Sequence, residues 1–462
     1  MNDMTPPLIA ASDVLSRPVR RPMALLAMCI GVLIAQVDTS VVNLAAQRIG
    51  ATFHASVAAM QWVLDSYNVV YALLLLSGGL AADLYGRRRV FRCGATVLAI
   101  GSVVCGLAPG IGVLIAARAM TGVGAALLLP ASLAIIRVVW TDPTARRRAL
   151  GVWASCNGLA FVIGPTLGGL LISHVGWRSV FFLAVPLAIA AFALAGRTVP
   201  ESADPKGRTF DLRGQALGAM ALGGLVFAAI AGREAEAAWV TGVTLSLVSL
   251  PLFLFTEQRA GRTALVPLDL FRQSAFCGAI IATVAMTFGI YGMIFLMPLV
   301  WQTSGILGPE QAGFALLPCA LVFFLVSQRS GYLAQHVGVR VMTAGGTAVI
   351  GCGLLVLAVA AESGRLWPAE IGLAVTGLGM GLNTGPLMSV AVDAVTAARS
   401  GTASALINVA RMAGATMGVA ILGAAFAISG GGEAGLRVAM LVGGIVQLGG
   451  GLVAWATIRL PR

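Results

Sequence analysis

The sequence predicts an all-helical integral membrane protein: two six-helix bundles with two extra helices between them, fourteen transmembrane helices in all. Three observations carry that expectation: an apolar composition, a series of apolar runs of spanning length, and a one-sided distribution of arginine. Of 462 residues, 58% are hydrophobic and 10% charged, with a mean hydropathy of +0.92. A soluble chain is roughly 45–50% apolar and about 25% charged. This one lacks the charge to cover a water-facing surface, which excludes a disordered, collagen-like or soluble disulfide-stapled protein. The net charge of +12 does not point to nucleic acid, because the basic residues sit in short clusters with no basic face. The seven cysteines lie inside apolar runs and form no C-x-x-C.

A spanning helix takes about 20 mostly apolar residues. In chain order the runs are 23–44, 59–81, 90–107, 111–136, 149–172 and 180–195. Two more follow at 214–231 and 238–255, then six at 275–301, 312–333, 341–360, 368–390, 401–428 and 438–456. If the seventh and eighth lie on the membrane surface, the count is twelve. The first run follows Arg17, Arg20 and Arg21 as in a signal peptide, but it is long and leads to no small-residue cleavage site. The expected organisation is a cytoplasmic tail over 1–22, a first bundle over 23–196, a linker with two helices over 197–272 and a second bundle over 273–458.

Arginine sets the orientation. Of the 30 basic residues only Lys206 is a lysine. With the N-terminus inside, twenty-three fall in cytoplasmic segments and five (Arg48, Arg178, Arg233, Arg365, Arg437) in outer loops. That bias places both termini in the cytoplasm.

Two cytoplasmic loops share a spacing. Gly79, Asp83 and Gly86 recur as Gly331, Gln335 and Gly338, an offset of 252 residues. Each set ends an even-numbered span, which suggests two halves related as in secondary transporters. A Walker A loop is excluded, since the lone lysine follows Pro205, and H-E-x-x-H and G-x-S-x-G are absent. No catalytic cluster or cofactor site is expected, so the chain reads as a transporter and not an enzyme, drawing energy from an ion gradient.

Ionisable residues inside spans are costly and mark function. Asp38, Asp65 and Arg118 lie in three spans, each roughly 9–11 Å below the outer face at 1.5 Å per residue. That common depth predicts a shared polar cavity. Desolvation disfavours the charged carboxylate, so such an acid can hold a proton in one state and lose it in another, with Arg118 opposing. Arg411 lies near mid-membrane, where it either meets substrate or serves as a structural hydrogen-bond donor. The fifth span carries Gly164, Pro165, Gly168 and Gly169, and the thirteenth carries Gly414 and Gly418. Small residues at this spacing let helices approach closely, as a bending contact between the halves or as ordinary packing.

At these residues the chain resembles the major facilitator superfamily, and within it the fourteen-span drug–proton antiporters. Asp38 to Ala45 resembles that family's first-helix motif, and Trp62 to Tyr67 its second-helix signature. Gly79 to Arg88 resembles the superfamily loop motif, which implies a gating role for Gly79, Asp83, Gly86, Arg87 and Arg88. Arg118 to Ala126 resembles the fourth-helix motif, whose arginine the resemblance implicates in proton coupling. Gly164 to Gly169, followed by Trp177, Arg178 and Phe181, is similar to the antiporter motif. Asn408 to Gly414 resembles a late-helix motif. The resemblance implies a major facilitator fold in the bacterial inner membrane, exporting hydrophobic, cationic small molecules against protons by alternating access. A single-substrate exporter, a proton-coupled importer and Na⁺ coupling stay open as alternatives. Substrate, protons and lipid are the expected partners, with no nucleic acid and a monomeric state.

Overall fold

The structure, a computed structural model, describes residues 21–203, 211–231, 236–260, 266, 268–363, 365–395 and 400–458. Residues 1–20, Lys206 and Arg399 lie outside the described residues, and with them most of the expected tail. Among the described residues the chain is helical, with no strand. The first six helices are α1 (Arg21–Phe53), α2 (Val57–Tyr85), α3 (Arg87–Leu107), α4 (Ile111–Val139), α5 (Pro143–His174) and α6 (Ser179–Thr198). Then come α7 (Leu212–Ala231) and α8 (Glu236–Ala260), and a short 3-10 turn over Leu268–Arg272. The rest are α9 (Ser274–Thr303), α10 (Pro309–Ala315), α11 (Leu317–Val337), α12 (Val339–Ser363), α13 (Leu366–Asp393), α14 (Ser400–Ile428) and α15 (Gly432–Thr457).

Every expected run falls within a helix. The tenth is broken into α10 and α11 at Leu316, next to Pro318, because proline cannot donate the bond that would continue the helix. Among the described residues thirteen segments are long and apolar enough to cross a membrane, α10 and α11 counting together. The remaining helix, α13, has 28 residues. Its five glycines, Glu370 and Asn383 dilute its hydropathy.

Helix ends follow local chemistry. The Ser56 hydroxyl accepts from the Ala59 N–H at 3.2 Å and the Asp142 carboxylate accepts from the Ala145 N–H at 2.6 Å, capping α2 and α5. Between α2 and α3 the chain turns on Gly86 at φ +105°, and between α11 and α12 on Gly338 at φ +93°. These are the two repeated glycines of the loop motif, and only glycine adopts this backbone without strain.

Packing repeats as well. In the first half α2 packs on α4, α3 on α4 and α6, and α1 on α5 and α6. In the second half α11 packs on α13, α12 on α13 and α15, and α9 on α14 and α15. The halves meet through α2 with α14, α5 with α10 and α11, and α1 with α9. Helices α7 and α8 form a hairpin whose first arm touches both α2 and α14. Gln215 ties that arm to α2, donating to the Leu73 carbonyl and accepting from the Ser77 hydroxyl.

Candidate functional site

α1 and α4 carry a buried ion pair at the heart of the first half. The Arg118 guanidinium donates from Nη1 to the Asp38 carboxylate, from Nε to the Val63 carbonyl of α2 at 3.1 Å, and from Nη1 to the Thr121 hydroxyl at 3.4 Å. It also lies 4.6 Å from the centre of the Tyr67 ring, a favourable place for a cation. Tyr67 in turn donates to the Ala35 carbonyl at 3.1 Å. Arg118 and Asp38 are 1% and 6% exposed. Two charges taken out of water are tolerable only when paired and hydrogen-bonded, and this network supplies both. The arrangement can exchange a proton for an ion pair: protonating Asp38 removes the charge that holds Arg118.

Asp65 is not part of this pair. Its residue is 0% exposed, and neither carboxylate oxygen has a hydrogen-bond partner. Along α2, Val63 and Tyr67 face α1 and α4, whereas Gln61 faces α14, donating to the Val419 carbonyl at 2.8 Å. Asp65 lies one turn beyond Gln61 along α2. Thr416 of α14 likewise has a buried hydroxyl with no partner among the described residues. Arg411, on α14, has Tyr71 of α2 and Tyr291 of α9 as its titratable neighbours.

The loop motif is held within the first half. Asp83 and Arg87 pair at 2.9 Å. The Arg88 N–H and side chain, and the Arg89 side chain, reach Glu201 beyond α6. Glu201 was not among the residues singled out from the sequence; its only signal was the first acid after the sixth span, opposite an arginine cluster. Gly79 has room for a side chain, with Pro130 at an ordinary 3.6 Å, whereas its neighbour Gly78 lies against the Ala126 carbonyl.

The fifth-span glycines split between two contacts. Gly164 and Gly168 abut Ser40 and Val41 of α1, within the same half. Gly169 abuts Pro309 and Glu310 of α10, and Gly313 abuts the Pro165 carbonyl, across the halves. In the second half Gly414 and Gly418 abut Val284 and Phe288 of α9, repeating the α5–α1 contact. Trp177 donates to the Thr52 hydroxyl at 3.0 Å and Arg178 to the Ala108 carbonyl at 3.1 Å, tying α6 to the end of the bundle.

Among the described residues, hydrogen bonds that join the two halves lie toward the end of the bundle away from the termini. They are Gln61 to Val419 and Ala420, and Gln302 to the Leu44 carbonyl at 3.1 Å. Beyond them a crevice of about 420 Å³ opens between Ser56, Val57 and Phe426.

Residues 28–419 match the sequence profile of the Major Facilitator Superfamily. The chain is 34% identical over 410 residues to multidrug resistance protein Stp of Mycobacterium tuberculosis, covering 88% of this chain and 76% of that one. It is 31% identical to the methylenomycin A resistance protein of Bacillus subtilis, covering 93% of each, and 31% identical to the multidrug efflux pump LfrA of Mycolicibacterium smegmatis, covering 88% and 81%. Among solved structures, a peptide transporter in complex with sulfate superimposes with a TM-score of 0.71 at 15% identity, covering 94% of each chain. A D-xylose–proton symporter superimposes at 0.70 and 14% identity, covering 95% and 98%.

Proposed function

Because the chain belongs to the Major Facilitator Superfamily, we propose that it exports hydrophobic small molecules in exchange for protons, by alternating access of its two halves. The buried Asp38–Arg118 pair is the observation that carries this reading. With Asp38 ionised, Arg118 is anchored to α1, α2 and Tyr67. A proton arriving at Asp38 frees the guanidinium, and α4 loses its tie to α1. A substrate that repels or replaces that proton drives the reverse step. Asp65, buried with Asn68 as its polar neighbour and no counter-charge among the described residues, suits the neutral acid, since an ionised carboxylate is costly there. It is the second group assigned to proton exchange.

Direction and orientation rest on three supports. The arginine distribution favours cytoplasmic termini. The end joined by Gln61 and Gln302 is then extracellular, and the structure is the state closed on that side. The Gly164–Gly169 segment forms the close contacts of α5 with α1 and α10, and the relatives are named for resistance and efflux. Asp83, Arg87 and Arg88 are assigned to gating at the cytoplasmic end, where Glu201 clamps their loop. Asp38 also offers a cationic substrate an anionic partner once Arg118 is displaced. The expected location is the inner membrane.

The test uses everted vesicles from an efflux-deficient bacterial host. Adding a transported drug should collapse a preformed proton gradient, and Asp38→Asn should abolish that collapse. Proton flux that survives both Asp38→Asn and Asp65→Asn unchanged would overturn the coupling assignment. A drug-susceptibility panel in the same host separates broad export from a single substrate.

A further inference from the structure

Arg411 lies eleven residues into a 29-residue helix, about 16 Å from its start at 1.5 Å per residue and so near mid-span. Its side chain has no hydrogen-bond or ion-pair partner among the described residues, and its Nε is buried without an acceptor. The residue is nonetheless only partly buried, as is Tyr291. The titratable groups that face it are Tyr71 and Tyr291, and no carboxylate is among them. Asp38 is engaged by Arg118, and Asp65 is sealed at 0% exposure. Neither the Tyr71 nor the Tyr291 hydroxyl has a protein partner among the described residues. The junction of the two halves at mid-membrane therefore presents one uncompensated positive charge and two unpaired hydroxyls, drawn from α2, α9 and α14.

We infer that Arg411, flanked by the Tyr71 and Tyr291 hydroxyls, receives an acidic group of the transported molecule: a carboxylate, enolate or phenolate on an apolar body. The proposal deepens the export reading and rests on it. A guanidinium held at depth without a counter-charge calls for a partner. Its planar fork fits two oxygens of one oxyanion, and phenol hydroxyls donate to the same group. The site spans both halves, since Tyr71 belongs to the first and Arg411 and Tyr291 to the second. A bound anion therefore links them. Tyr71 also lies 5.9 Å, ring to ring, from Tyr67, the residue beneath Arg118, so substrate and proton sites are one ring contact apart.

Energised everted vesicles are offered, from outside, three fluorescent probes in turn: anthracene-9-carboxylate, its neutral carboxamide and the cation ethidium. The wild-type chain should transport the carboxylate. Arg411→Gln should lower carboxylate transport about tenfold, the loss of one charge-assisted hydrogen bond, while ethidium and the carboxamide change less than about twofold. Arg411→Lys should fall between, keeping the charge without the fork. Tyr71→Phe and Tyr291→Phe should each raise the KM for the carboxylate and spare ethidium. Equal loss for all three probes in Arg411→Gln, with Arg411→Lys no better, would mean a structural or general coupling role and overturn the proposal. Ethidium transport by the wild type without carboxylate transport would overturn it and leave the export reading standing. Movement of none of the probes, with no drug-dependent proton flux, would overturn the export reading as well.

Discussion

Asp38 and Arg118 are 80 positions apart in the chain, and their meeting decides what each can do. Removing one partner of a buried pair costs about 3–5 kcal/mol, because the other charge is left uncompensated. Asp38→Ala should therefore lower the thermal midpoint of the detergent-solubilised protein sharply. The double variant Asp38→Ala/Arg118→Met should recover much of the loss, while remaining uncoupled. A double variant as unstable as the single one would show that the pair is not the source. Thr121→Ala, which removes a hydroxyl 3.4 Å from the guanidinium, should cost about 1 kcal/mol. Both charged residues were legible from the sequence as ionisable groups inside apolar runs. Their common depth put Arg118 opposite the acids; that it bonds directly to Asp38 was not legible, because depth along a helix is readable from spacing while the direction a side chain points around it depends on how the bundle packs. Asp65 shares the depth but is not among the partners of Arg118.

At the scale of the helix and its ends, the glycines divide by what their surroundings demand. Gly86 stands at φ +105°, so Gly86→Ala should destabilise by about 1–3 kcal/mol through backbone strain. Gly79→Ala, with only an ordinary contact at 3.6 Å, should stay within about 0.5 kcal/mol. Thermal unfolding of the two variants side by side measures the difference. Equal losses would mean that the motif glycines act through packing and not through the turn. The sequence marked both glycines as equivalent members of one repeat. It also marked Gly164 and Gly168 without revealing that they face α1, in their own half, while Gly169 and Pro165 face the other. A glycine's spacing reports a groove on a helix, and the neighbour that fills the groove comes from the fold. Glu201 was overlooked because its role depends on α6 ending beside the α2–α3 turn.

For the whole molecule, few directional bonds among the described residues join the halves at the end away from the termini. Gln61 and Gln302 donate across the halves, and Gly313 lies against the Pro165 carbonyl with no room for a side chain. Each neutral hydrogen bond contributes about 0.5–1.5 kcal/mol, so Gln61→Ala should shift the balance between the two access states by about tenfold at the upper end of that range. Gly313→Leu drives a wedge into the same seam. Both changes should speed the labelling of Gln302→Cys by a membrane-impermeant maleimide added from the side of the membrane opposite the termini. Unchanged labelling in Gly313→Leu would mean that the seam is not the gate. The α7–α8 hairpin touches α2 and α14 at once, so it sits where the two halves would move against each other.

The sequence alone determined the membrane class, the helices and their number, the repeat and the identity of the charged residues. Hydrophobic length, arginine placement and glycine spacing act locally along the chain, and each leaves its mark within a few turns. Tertiary structure alone decided that Arg118 bonds Asp38 directly, which helices bond across the halves, and that Arg411, with Tyr71 and Tyr291 as its titratable neighbours, has no counter-ion among the described residues. Those outcomes depend on the angular position of side chains around packed helices, which no short stretch of sequence encodes.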